Sequence, residues 1–150
     1  MKIEYKTADY NDIEDLIRLI KEFHHHEKIK FEEKKIVNAL QVFFKNAHYG
    51  KILMIKNEHE LIGYAVVSFV FSIEFGGLNV SLDQFFIKEK FRGKGIGTNT
   101  LKFIENECNK EGVQTIHLQV FKFNREAERL YLRHGYQELD RIFMNKELSY

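Results

Sequence analysis

The residues best equipped for chemistry stand together at Phe91-Arg92-Gly93-Lys94-Gly95-Ile96-Gly97-Thr98. The apolar run before them reads as a strand and the amphipathic run after them as a helix, so they form a strand-to-helix turn. N–H groups at a helix N-terminus lack intrahelical partners and carry partial positive charge. Glycine leaves no Cβ between such donors and a phosphate. Arg92, Lys94 and nearby Lys90 add mobile positive charge. The combination suits a diphosphate. A Walker loop requires a Lys after its last glycine, and Thr98 follows here. The dinucleotide fingerprint requires Gly-x-Gly-x-x-Gly, whereas these glycines stand at 93, 95 and 97.

The spacing that is filled is Arg-x-x-Gly-x-Gly, by Arg92, Gly95 and Gly97. Further on, after another strand, comes Asn124-x-x-Ala127-x-x-Leu130-Tyr131-x-x-x-Gly135-Tyr136. In this order and these contexts, the two segments resemble the two signatures of the GNAT family of N-acetyltransferases. The resemblance is firm over residues 82–146 and looser over 1–75, where helices and strands come in the family's order. It implies an α/β (α+β) fold with one mixed, mostly antiparallel sheet flanked by helices. It implies acetyl-CoA as cosubstrate and direct transfer to an amine in a ternary complex. The main-chain N–H groups of Arg92, Gly93, Lys94, Gly95, Ile96, Gly97 and Thr98 would wrap the CoA pyrophosphate. Phe86, Ile87 and Lys88 match the place where the family's strand splays at a bulge and frees backbone groups for the pantetheine arm and thioester oxygen. Asn124 would bond the pantetheine amide, and Tyr131 would protonate the sulfur.

The acceptor needs help as well. An alkylammonium of pKa about 10.4 is almost fully protonated at pH 7, so presenting the neutral amine costs about 4–5 kcal/mol. A nearby carboxylate can take that proton. Asp83 is the first candidate, because it matches the acidic residue of polyamine acetyltransferases. That residue is a Glu, so the shorter Asp implies a water relay. The plainer reading of Asp83 is a strand residue with a local hydrogen bond. Glu74 is second, and reads more simply as a solvated hairpin residue. A thiol near 8.5 and a phenol near 10 can exchange a proton at about 2 kcal/mol, which suits Tyr131. On its own, that residue also reads as part of an apolar helix face with Ala127 and Leu130, and Asn124 as a helix N-cap.

These groups must be positioned by a short list of elements. Ile3–Tyr5 reads as a first strand. Asn11 and Glu14 form a capping box ahead of a helix over 11–24. A second helix spans 32–46, and strands follow at 51–55 and 61–71. Gly76-Gly77 marks a turn, and 80–87 is a further strand. A helix runs from the glycine turn to Glu111, with Leu101, Ile104 and Cys108 on one face. Residues 114–121 form a strand, 125–134 a short helix, and 137–148 two final strands.

The chain has 150 residues, with 23 Lys+Arg against 22 Asp+Glu, one Cys and no Pro. That length predicts one domain, residues 1–150. At 44% hydrophobic it can build a core, which excludes a disordered tail. Near-neutral charge disfavours nucleic acid or a polybasic membrane surface as partner. No apolar run is long enough for a bilayer span. A lone Cys108 permits no intramolecular disulfide, and a cytoplasmic setting follows as the expectation. Neutrality hides a local excess, since Lys88, Lys90, Arg92 and Lys94 face a single Glu89 within seven residues, a net +3. His24-His25-His26 point in different directions on a helix and read as a solvated helix end, with no metal site expected. The charges of 23–35 would filter the acceptor. The acceptor expected is a small-molecule amine. A protein N-terminus or lysine is the alternative, a non-catalytic acyl-CoA sensor a further one, and a homodimer is allowed.

Overall fold

A computed structural model describes residues 1–149. In chain order its elements are β1 (Ile3–Thr7), α1 (Ile13–His26), α2 (Glu33–Lys45), β2 (Gly50–Asn57), β3 (Glu60–Ser72), β4 (Gly77–Ile87), α3 (Ile96–Lys110), β5 (Thr115–Leu118) and α4 (Arg125–Arg133). The strands form one sheet in the order β1-β2-β3-β4-β5. The first three pairings are antiparallel and β4–β5 is parallel. This is the mixed, mostly antiparallel sheet expected. No helix among the described residues is long and apolar enough to cross a membrane.

Helices cover both faces, which is why β2 and β3 carry continuous buried runs rather than alternation. On one face, Leu16, Ile20 and Phe23 of α1 and Leu40 of α2 pack on Ile52, Met54, Tyr64, Val66 and Phe86. On the other, Leu101, Ile104 and Cys108 of α3 and Tyr131 of α4 pack on Leu53, Ala65, Val67, Val80 and Leu82.

Val80 and Leu82 therefore face α3 while Phe86 faces α1, although all three are even-numbered. A regular strand forbids this, because its side chains alternate strictly. One extra residue in β4 accounts for it. Val66 pairs with Gln84 and Val67 with Leu82, so Asp83 has no opposite number on β3. It is the bulged residue. The bulge thus lies three residues earlier in β4 than the position expected around Phe86, and it turns the Phe86 ring from the α3 face to the α1 face.

Three expectations are corrected. The capping box is formed by Asp9 and Asp12, two residues earlier than Asn11 and Glu14: Asn11 N–H donates to Asp9 Oδ1 at 2.8 Å, and Asp9 N–H to Asp12 Oδ2 at 2.8 Å. Lys6 Nζ, 2.7 Å from Asp12, fixes that choice by adding charge to the same carboxylate. The strand expected over 114–121 is confined to Thr115–Leu118, where it pairs with Asn79–Leu82. Residues 137–149 form no strand. Their apolar residues, Leu139, Ile142, Phe143, Met144 and Leu148, lack the period of two that would give one buried face, and they stand exposed. Arg141 ties this segment to Glu74 on the β3–β4 hairpin.

Candidate active site

β5 pairs with β4 only as far as Leu82. From Asp83 to Ile87, β4 has no neighbour on that side. A cleft of about 310 Å³ opens there, between the free end of β4, the turn before α3, and α4. Lys88 N–H donates to Ile62 O on β3 at 2.8 Å, so Phe86 and Lys88 turn their main-chain groups toward β3. By alternation, Phe85 and Ile87 turn theirs toward the cleft. The Ile87 carbonyl is satisfied by Arg92 Nε at 2.7 Å, which leaves the Ile87 N–H as a donor on the open side.

The turn is built by left-handed glycines. Gly93 has φ +71° and Gly95, the N-cap of α3, has φ +77°. A Cβ on either would meet no atom within 4 Å, so both border open space. No side chain caps the first N–H groups of α3. Uncapped donors beside empty space fit a diphosphate-bearing group. Gly97 serves packing as well, since a Cβ there would stand 3.2 Å from Leu130 Cδ2 of α4. The Arg92 guanidinium lies over the Phe86 ring at 5.5 Å, which ties the turn to β4.

The seam between α1 and α4 forms the remaining wall. Asn124 caps α4 by accepting from Ala127 N–H at 3.2 Å, and its Nδ2 donates to Glu27 Oε1 at 2.7 Å. Glu27, just past the end of α1, is 8% exposed, and its Oε2 has no partner. Buried beside it, the Tyr131 phenol is pushed well above its ordinary value, first by burial and then by the Glu27 charge. The phenol therefore keeps its proton throughout the working range. Asp83 is shifted upward too, because the surrounding protein displaces part of its hydration even though the residue remains exposed. Its charge adds to burial in raising Tyr64, whose hydroxyl donates to Gln84 Oε1 at 2.8 Å.

A sequence model described as "Acetyltransferase (GNAT) family" matches residues 11–136. The chain belongs to this family. Mouse thialysine N-epsilon-acetyltransferase is 28% identical over 143 residues, covering 89% of this chain and 84% of that protein. The spermine/spermidine N(1)-acetyltransferase of Bacillus subtilis (strain 168) is 36% identical over 102 residues, covering 64% of this chain and 67% of that protein. Among solved structures, an integron cassette protein from a salt-marsh metagenome superposes with a TM-score of 0.84 at 28% identity, covering 97% of this chain and 90% of that one. A Clostridium acetobutylicum protein described as a predicted acetyltransferase with acetyl-CoA has the same fold, at a TM-score of 0.82 and 20% identity, covering 97% and 96%. This GNAT protein is thus an acetyl-CoA-dependent acyltransferase enzyme.

The structure gathers Phe86, Ile87, Arg92, Gly93, Gly95, Gly97, Thr98, Asn124 and Tyr131 around the cleft. Lys88, Lys94, Ile96 and Asp83 are not on its wall. Lys88 approaches Glu60 at 3.8 Å, Lys94 lies over the Phe91 ring, and Ile96 is buried in a core cluster with Ile62 and Ile87. Asp83 is exposed on the bulge. Glu74 lies on the hairpin, where Arg141 holds its carboxyl below the ordinary value. The histidines are not uniformly solvated: His24 is buried with Nδ1 3.3 Å from Lys30 O, and His26 lines the cleft. Among the described residues no group of three or more His, Cys, Asp or Glu is placed to hold a metal. Glu27, Glu126 and Arg133 are the charged wall residues that sequence reasoning missed. The charges of 23–35 read from sequence as a filter for the acceptor, but which of them is buried does not show there.

Proposed function

We propose that this chain, as one domain over residues 1–150, transfers an acetyl group from acetyl-CoA to a primary amine of a small cationic molecule, by direct transfer in a ternary complex. The observation that carries this reading is a single cleft whose wall holds both free backbone donors and a buried carboxylate with one of its two oxygens unpartnered. The named activities of the relatives, on thialysine and on spermine or spermidine, support a small cationic acceptor.

When bound, acetyl-CoA supplies an acyl carbon already activated as a thioester. The N–H groups of the Gly93–Thr98 turn would hold its pyrophosphate. The Ile87 and Phe85 N–H groups face the place where a carbonyl oxygen gains negative charge, and fixed donors there lower the barrier without reorganising. Tyr131 keeps a proton ready for the departing sulfur. Its raised affinity makes that transfer harder than for a free phenol, but a sulfur leaving beside the buried phenol is subject to the same loss of solvation.

The test is a panel of small amines and peptides with acetyl-CoA, followed by thiol release. Turnover of small cationic amines with intersecting initial-velocity lines is the expected result. Parallel lines would exclude direct transfer. Turnover confined to peptide amines would move the acceptor to protein, and CoA binding without any turnover would make the chain a sensor.

A further inference from the structure

Glu27 has an unusual position for a carboxylate. It is buried, yet one of its two oxygens has no partner, and leaving a buried charge half-satisfied is costly. The chain holds it there by local means. The Glu27 N–H closes α1 onto Phe23 O at 2.9 Å, and Lys28 then takes φ +58°, a left-handed conformation normally left to glycine. Lys28 Nζ lies over the Phe123 ring at 4.7 Å, fastening this turn to the loop before α4. Asn124 occupies Oε1 alone. A half-made hydrogen-bond set at Glu27, held by a strained backbone at its neighbour Lys28, marks a group kept ready for a ligand.

We propose that Glu27 Oε2 seats the reacting ammonium of the acceptor and takes its proton. This rests on the acetyl-transfer reading above. The cleft wall that holds Glu27 also holds Ile87 and Tyr131, so an amine on Oε2 lies among the groups that act on the acyl carbon. Asp83, by contrast, stands exposed and off that wall. The charged and titratable groups sharing the wall are His26 from α1, Arg92 from the turn, and Glu126, Tyr131 and Arg133 from α4.

The protons balance. One passes from the ammonium to Glu27, which keeps it until the sulfur has left and then releases it to solvent. The neutral nitrogen bonds the acyl carbon as the carbon–sulfur bond breaks. The sulfur takes the Tyr131 proton, and the second proton shed by nitrogen restores the phenol. Neutralising Glu27 also removes the charge that strengthens Tyr131's hold on its proton, so the base step makes the acid step easier.

The test compares wild type, Glu27→Gln and Asp83→Asn, with spermidine as acceptor probe. Glu27→Gln keeps an oxygen for Asn124 and loses only the charge. It should lower kcat/KM for spermidine about 100-fold near pH 7. The deficit should shrink as pH rises toward the amine's own pKa, where free amine no longer needs a base. CoA affinity by calorimetry should stay within about twofold, while spermidine affinity in the presence of CoA falls at least about tenfold, since a charge-assisted contact is lost. A Glu27→Gln enzyme with an unchanged pH profile and spermidine affinity would overturn the proposal. So would a loss of CoA affinity in parallel, which marks a structural residue, or a profile flattened by Asp83→Asn instead. A wild type that turns over no amine removes the acetyl-transfer reading itself. An active wild type with an indifferent Glu27→Gln removes only the role of Glu27.

Discussion

Gly95→Val tests whether the turn before α3 is a cofactor cradle or only a connection. Two effects of the substitution must be separated. Gly95 sits at φ +77°, where a residue with a Cβ is strained by about 1–2 kcal/mol, and a β-branched one sits at the upper end. No atom lies within 4 Å of the new Cβ, so no clash adds to this. At this chain length about 2 kcal/mol corresponds to a fall in Tm of roughly 4–8 °C. The second effect is occupation of the space in front of the uncapped N–H groups of α3, which strikes only a ligand. Gly112, just past α3, supplies the control. It has φ +75° and equally open surroundings, but it is not on the cleft wall. Gly112→Val therefore carries the same backbone strain without touching the cradle. Both variants should lose similar Tm by calorimetry or circular dichroism. Only Gly95→Val should lose CoA affinity, by at least about 100-fold in titration calorimetry, equivalent to about 2.7 kcal/mol. Equal CoA affinities in the two folded variants would refute the cradle, and the turn would then be plain strand-to-helix connection.

Tyr131→Phe should lower kcat about 100-fold while CoA affinity holds, and unchanged steady-state turnover would remove its role as proton donor. Asn124→Ala removes the α4 cap, worth about 1 kcal/mol, so Tm should fall by roughly 2–4 °C; it also frees Glu27 Oε1, so KM for the amine should change along with stability. Asp83 has its folded pKa above the ordinary 3.8, so the folded state holds the proton more tightly than the unfolded one and stability is lost as pH rises through that window. Asp83→Asn should therefore be more stable than wild type at pH 7 and no more stable near pH 3; a denaturant midpoint lower at pH 7 would show that the carboxylate makes a favourable contact there instead.

What could be read from the sequence is what depends on local pattern. The apolar periodicity of residues 13–23, the glycine turn and the segment from Asn124 to Tyr136 each carry their signal within a few residues, and each folds as read. The bulge does not. Whether Asp83 is an extra residue depends on the register against Val66 and Val67, and strand register is a long-range property. That single residue decides which face Phe86 takes and where β4 parts from its neighbour. Glu27 was illegible for the same reason. It is one of several acids near the end of α1, and only its meeting with Asn124, far along the chain, makes it buried and half-paired. The capping box was ambiguous locally, since Asp9-x-x-Asp12 and Asn11-x-x-Glu14 both satisfy the pattern, and tertiary contact from Lys6 chose between them.

Charge shows how far a linear count can mislead about a site. Lys88, Lys90, Arg92 and Lys94 form a net +3 run in sequence, which suggested one basic patch on the turn. A short 3-10 turn at Glu89–Phe91 intervenes and disperses it. Lys88 and Lys90 both reach Glu60, the latter at 2.7 Å, and Lys94 lies over Phe91. Arg92 is left on the cleft wall, and Arg133 joins it from α4. Opposing them on the same wall are Glu27 and Glu126. With a screening length of about 8 Å at physiological salt, these neighbours matter more than the chain's overall neutrality. A wall that carries both signs orients its occupants. On the proposed reading, a polyanion would be drawn to the turn, where backbone donors and Arg92 add together, and a cation to the α1–α4 seam, where one Glu27 oxygen has no partner. The free end of β4 reaches the cleft with the Ile87 N–H open to it. Two charged reactants of opposite sign would thus be held with their reacting ends among the Ile87, Glu27 and Tyr131 groups that a direct transfer requires.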